Sequence, residues 1–126
     1  MELLIGGIAQ GKLEYALMKY PDAVVVSDET ECVDGTKIYV WKDLHSNTRK
    51  WLSEGKTPEE IWSLVQGVIQ GCPSLVMICD EVGNGIVPME KEERIWREET
   101  GRLLCKIARE AESVTRICCG LPVKIK

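Results

Sequence analysis

Glu2-Leu3-Leu4-Ile5-Gly6-Gly7-Ile8-Ala9-Gln10-Gly11-Lys12-Leu13 is the stretch that decides the fold. It opens with a short apolar run that stops at two glycines, the pattern of a buried strand entering a turn. From Lys12 the period changes. Leu13, Ala16, Leu17 and Tyr20 fall at i, i+3, i+4 and i+7, one face of a helix, and Pro21 ends it. The connection reads G-x-x-x-x-G-K. Glycines at this spacing let successive backbone N–H groups turn inward on phosphate oxygens. Lys12 adds a cation, and the helix offers its positive end to the same anion. Gly6, Gly7, Ile8, Ala9, Gln10, Gly11, Lys12 and Leu13 are therefore expected to hold the phosphates of a nucleotide; the competing reading is a glycine turn with no ligand. Leu13 occupies the place of a Ser or Thr whose hydroxyl would ligate Mg²⁺, so weak dependence on Mg²⁺ is expected; strong dependence would point to Asp80 or Asp43 as the ligand.

Working outward, Ala23-Val24-Val25-Val26 reads as a second buried strand, Asp34-Gly35 as a turn, and residues 38–41 as a third strand. Thr57-Pro58-Glu59-Glu60 has the form of a capping box with proline at the first helical position. Ile61, Leu64, Val65 and Val68 follow on one face, and Gly71 and Pro73 close the helix. Ser74-Leu75-Val76-Met77-Ile78-Cys79 is the strongest buried strand. A long charged helix follows Pro88, with Ile95, Leu103, Ile107 and Ala111 expected to face inward. Residues 114–119 make a last strand. Alternation of strands apolar on both faces with helices predicts a three-layer α/β, P-loop NTPase-like domain with a mostly parallel sheet flanked by helices. Residues 1–126 form one such domain, with its first strand central.

The composition sets limits on function. The chain has 126 residues, 44% hydrophobic and 29% charged, which suits one soluble globular domain. No apolar run approaches the roughly 18–20 residues that span a bilayer. Sixteen Lys and Arg against twenty Asp and Glu leave a net charge of −4. This argues against a protein that tracks nucleic-acid phosphates. The six cysteines form no CxxC pair and there is one histidine, so a zinc site has poor support. No signal peptide is read at the start. The thiols read as reduced, small core residues of a cytoplasmic protein.

Asp80-Glu81 ends the strongest strand, where open α/β sheets bind their ligands. Such a pair either organises a metal or takes a proton from a substrate hydroxyl, with Asp80 the expected metal ligand and Lys12, Asp80 and Glu81 the expected catalytic residues. Its plain alternative is a solvated acidic cap. The residues that follow are more specific. Asp80-Glu81-Val82-Gly83-Asn84-Gly85-Ile86-Val87-Pro88 resembles the N-E-V-G-x-G-I-V-P motif of the bifunctional adenosylcobinamide kinase/adenosylcobinamide-phosphate guanylyltransferase family of cobalamin biosynthesis. Trp96-Arg97-Glu98 with Gly101-Arg102 resembles that family's F-R-D-x-x-G-R. Gly120-Leu121-Pro122-Val123-Lys124-Ile125-Lys126 resembles its G-I-P-x-x-I-K ending, and the glycine loop its G-G-x-x-S-G-K-S. The likeness covers residues 1–27 and 76–126.

The resemblance implies a P-loop sheet assembled as a trimer, GTP or ATP as the nucleotide, and a cobinamide-type corrinoid as the other substrate. It implies a kinase acting on the aminopropanol hydroxyl and a guanylyl transfer through a histidine. Gly83, Gly85 and Arg97 would fall at the substrate; Arg97 could equally pair with Glu93. The chain departs from the family at Leu13, at Gln10 in place of a small residue, and at Leu104-Cys105 in place of an N-Q pair. It is also short: residues 27–37 replace a longer segment that carries the guanylylated histidine. His45, the sole histidine, reads as a surface or cap residue, which leaves guanylyl transfer without its acceptor. Two further readings stand beside the kinase: a relative that binds nucleotide or corrinoid without turnover, and a small kinase for another alcohol.

Overall fold

The computed structural model describes residues 1–83 and 89–126. Six strands form one sheet: β1 (Glu2–Gly6), β2 (Val24–Val26), β3 (Tyr39–Trp41), β4 (Leu75–Asp80), β5 (Ser113–Cys118) and β6 (Leu121–Lys124). Their order across the sheet is β2-β3-β4-β1-β5-β6. The first five run parallel, and β6 returns antiparallel to β5. The first strand is central, as its apolarity on both faces requires.

Successive residues of a strand point to opposite faces, and the core divides accordingly. Leu4, Val40, Val76 and Ile78 face α1 (Lys12–Lys19), where they pack with Ala16 and the half-buried Leu13 and Tyr20. Leu3, Trp41, Met77 and Cys79 face the other way. There they meet α2 (Leu44–Ser53), α3 (Pro58–Gly71) and α4 (Lys91–Glu110) through Leu44, Trp51, Ile61, Val65, Leu103 and Ile107. The three layers are therefore unequal, with one helix on one side and three on the other. Trp41 and Trp51 meet edge to face at 6.1 Å in the larger layer. The capping box of α3 forms as its sequence requires, with Thr57 and Glu60 bonding reciprocally.

Several expectations need correction. The Val24–Val26 strand is a sheet edge and not a buried strand; Val24 and Val25 are exposed. Helix α2 lies where no element was expected. Its inward stripe is Leu44, Asn47, Thr48 and Trp51, and two polar members hide the apolar period. Those two are satisfied in place: Trp41 Nε1 donates to Asn47 Oδ1 at 2.9 Å, and Thr48 Oγ1 donates to the Leu44 carbonyl at 3.0 Å. Ile95 on α4 is exposed, whereas Leu103 and Ile107 are buried. Cys105, Cys118 and Cys119 are exposed, so only Cys72 and Cys79 serve as fully buried thiols. Burial pushes the Cys79 thiol up to about 12, which keeps it inert at neutral pH. The final strand continues into a hairpin. Cys119 and Gly120 both have positive φ, as a two-residue type I′ turn demands, and β6 follows. No helix among the described residues is long and apolar enough to cross a membrane.

Glu2 ties the start of β1 to the end of α1. Burial alone would raise its pKa, but hydrogen bonds from Lys19 and Tyr20 outweigh it and hold the carboxyl below its ordinary value. A depressed carboxylate stabilises the fold above its unfolded pKa and loses that contribution as pH falls through the folded one. Glu2→Gln should therefore be less stable than wild type at neutral pH, and the gap should narrow as pH falls through the depressed folded pKa of the carboxyl. Urea denaturation of both proteins across that range checks it.

Candidate functional site

The site is built where β1 and β4 end side by side. In the sheet register Gly6 lies opposite Asp80, and the Glu81 N–H donates to the Gly6 carbonyl at 2.9 Å. Gly6 must be glycine, since a Cβ there would sit 2.4 Å from the Ile117 carbonyl oxygen of β5. The loop then turns through Ala9 at φ 55° and Gly11 at φ 91° and delivers Lys12 as the first residue of α1. Glycine suits the second of these, and alanine there carries a steric cost of the kind found at ligand loops.

Lys12 is 6% exposed. Its ammonium lies 2.7 Å from Asp80 Oδ1 and donates to the carbonyls of Gly7 at 2.6 Å and Gly6 at 3.3 Å. Alternation along β4 puts Asp80, like Ile78, on the α1 side with the loop, and Glu81 on the side of Cys79. The two acidic residues are thus separated in role. Asp80 is engaged as the counter-ion of Lys12. Glu81 Oε2 accepts from Arg116 of β5 at 2.7 Å.

Sequence reasoning missed the site positions of His45 and Lys42, and named Asp43 only as an alternative metal ligand. His45, read as a surface or cap histidine, reaches into the site from the first turn of α2. Its Nδ1 accepts from the Asp80 N–H at 3.1 Å, and its Nε2 lies 3.4 Å from Asp80 Oδ2. An Nδ1 that accepts from a backbone N–H carries no proton, so the ring is the neutral Nε2–H tautomer with its proton toward the carboxylate. The His45 carbonyl accepts from Trp96 Nε1 at 2.8 Å, which links the site to α4. Lys42 and Asp43, between β3 and α2, line the same cavity. That cavity has a volume of about 370 Å³, and loop residues Ile8 to Leu13 form its other wall. The signals for the β3–α2 residues were their place after a strand's carboxyl end, where ligands of such sheets bind, and the likeness of Asp43 to an acidic position of the family resembled.

The loop is also braced from the hairpin. Gln10 Oε1 accepts from the Cys119 N–H at 2.7 Å, and the Gln10 carbonyl accepts from the Gly120 N–H at 2.8 Å. Gln10 therefore acts through its side chain on the turn.

Of the expected substrate residues, the described ones, Gly83 and Arg97, are not among those lining the loop cavity. Gly83 is an exposed turn residue just after Glu81, and Gly85 lies outside the described residues. Arg97 is half-buried on α4 and does not line the loop cavity. Glu93 is gripped by Arg49, through two bonds of 2.5 and 3.1 Å, and the charge of Arg97 also acts on it. Arg49 also covers one face of Trp96 at 3.9 Å, so that face is not open to a flat ligand.

A divalent ion, which the fold family implies between the phosphates, meets unsuitable donors. The Leu13 side chain offers none, both oxygens of Asp80 face Lys12 and His45 while no phosphate is bound, and the cavity's other carboxylates, Glu14 and Asp43, do not gather with it into a ligand set. Among the described residues no three His, Cys, Asp or Glu side chains gather to hold a metal. The residues present do not fit the ion.

The profile of the cobinamide kinase / cobinamide phosphate guanyltransferase family matches residues 23–125. This chain belongs to that family. Its match begins after the glycine loop, so the loop's assignment rests on its own geometry. The bifunctional adenosylcobalamin biosynthesis protein CobU of Escherichia coli (strain K12) is 40% identical over 68 residues, 53% of this chain and 37% of that protein. Its counterpart from Salmonella typhimurium (strain LT2) is 38% identical over 69 residues, 54% of this chain and 38% of that protein. The chain thus aligns with under two fifths of the length of these family members.

His45→Ala would leave the partly buried Asp80 N–H without its acceptor. It should lower stability by about 1–3 kcal/mol, the cost of an unmade buried hydrogen bond. His45→Asn, whose Oδ1 takes the place of Nδ1, should recover most of that loss in the same urea titration.

Proposed function

We propose that this protein binds a nucleoside triphosphate, ATP or GTP, through residues 6–13 and transfers its terminal phosphoryl group to the hydroxyl of a cobinamide-type alcohol. The observation that carries this reading is the clasp of Lys12 by Asp80 at the mouth of a glycine loop opening a helix. It supplies a cation for phosphate and a carboxylate for the acceptor in one place. Phosphate entry draws Lys12 from Asp80 toward the nucleotide, and Asp80 is then free to act as base. The acceptor oxygen attacks the terminal phosphorus, the bond to the β-phosphate oxygen breaks, and the hydroxyl proton passes to Asp80. The nucleoside diphosphate leaves with Lys12 beside the charge that develops. Glu81, paired with Arg116, supports the strand end and is not the base. Gly83, Gly85 and Arg97 belong to the acceptor side by family likeness.

Guanylyl transfer is not part of this reading. Both nitrogens of His45 face Asp80, so neither is presented to a phosphorus atom. A second reading, nucleotide binding without turnover, is favoured by one specific observation: Leu13 packs with the α1-side core and offers no metal ligand.

Incubation with ATP or GTP and adenosylcobinamide, followed by mass spectrometry of the corrinoid, tests the kinase. A phosphorylated product supports it; nucleotide binding without product supports the second reading. Asp80→Asn separates the two roles. It should keep or improve nucleotide affinity, because Lys12 is released, while any transfer falls at least a hundredfold, the typical worth of a general base.

The reading extends to self-association, with a trimer expected from the family, in the cytoplasm. Leu121, Val123 and Ile125 are exposed together on and beyond β6, an apolar surface suited to a second copy. Sedimentation at micromolar concentration should give three times the chain mass; a monomer would remove this part of the reading.

A further inference from the structure

Lys42 is the one lysine besides Lys12 that lines the loop cavity. It directly follows β3, and its own N–H donates to the Val26 carbonyl of β2 at 2.9 Å. Asp43 then adopts the left-handed conformation, φ 58° and ψ 39°, and starts α2. The backbone of Lys42 is thus fixed on both sides by regular structure. The side chain is not tied down: among the described residues its ammonium has no ion-pair or hydrogen-bond partner. Lys12, by contrast, is committed to Asp80 and two carbonyls.

The charge requirement of the site makes this lysine informative. A nucleoside triphosphate brings three to four negative charges, and a P-loop normally meets them with one lysine and one divalent ion. Here the donors for the ion are unsuitable, while the cavity wall across from the loop carries Lys42, whose ammonium has no partner among the described residues. We propose that Lys42 binds the nucleotide's phosphates directly and takes the electrostatic place of the divalent ion, so that the site captures nucleotide without metal. The inference rests on the reading that residues 6–13 are a phosphate loop. The competing arrangement uses Asp43, exposed in the same wall, with Asp80 as ligands for a cation.

Calorimetry with ATP and with GTP, in EDTA and in magnesium chloride, separates these cases. Wild type should bind in EDTA within about threefold of its affinity in magnesium. Lys42→Met should weaken binding in EDTA by about ten- to hundredfold, the range for a lost charge-assisted hydrogen bond, and Lys42→Arg should retain it. Lys42→Gln provides a second neutral variant, and circular dichroism melting establishes that each variant is folded. Unchanged affinity in folded Lys42→Met alongside weakened Lys12→Ala overturns the inference and leaves the phosphate loop standing. Unchanged affinity in both variants overturns the loop reading and the inference with it. Wild-type binding at least tenfold weaker in EDTA, with that dependence lost in Asp43→Asn, overturns the inference in favour of a cation held by Asp43.

Discussion

An ammonium group buried to 6% exposure is the constraint on which the rest of this structure depends. Unpaired, such a charge would cost more than most small domains can tolerate. Lys12 is accommodated because β1 and β4 are in register at Gly6 and Asp80, which sets a carboxylate and two loop carbonyls around one nitrogen. A slip of one residue in that register would turn Asp80 to the opposite face and leave the charge uncompensated. Sheet order, loop shape and site electrostatics are therefore one requirement. It also explains why β4 is so strongly apolar: its five buried residues hold the position of the sixth.

The site is braced from both flanks. On one, the Cys119-Gly120 turn holds Gln10 by two hydrogen bonds, and Gly6 lies so close to Ile117 that β5 and the loop move together. On the other, His45 connects Asp80 to Trp96, and Arg49 joins Trp96 to Glu93. The start of α4 is thereby connected to the end of β4, beside the glycine loop, through side chains of α2. A change at either flank should be felt at Lys12, because each flank contacts an immediate neighbour of its ligands.

The parts of the fold legible in the sequence were those whose local pattern and tertiary role agree. The strand–glycine–helix unit, the capping box at Thr57 and the run ending at Asp80 were of this kind. What could not be read were elements stabilised by contacts the local pattern does not encode. Helix α2 carries Asn47 and Thr48 on its inward stripe, and only Trp41 and the Leu44 carbonyl make those residues suitable there. Strand β6 has every residue exposed and owes its form to pairing with β5. Of the candidate site, the loop and Asp80 were accessible because spacing alone locates them. His45 and Lys42 were not, since their place is set by the turn between a three-residue strand and that unread helix.

Leu13 connects the chemistry to the core. A hydroxyl at this position would serve a metal, but leucine here packs on the α1 side of the sheet, where, among the described residues, α1 is the helix covering Leu4, Val76 and Ile78. The larger layer has three helices to share its apolar area, so the loss of one side chain there is more easily absorbed. On the thin side each apolar contact of α1 matters more, and α1 is only eight residues long. Such a helix is held by its packing and not by its own propensity. A side chain that anchors α1 also anchors the N–H groups at its first turn, which on the proposed reading would face a bound anion. Leucine at this position therefore contributes to holding α1 on the sheet and offers no metal ligand; if the loop binds phosphate as proposed, the charge of an absent ion would have to come from another element.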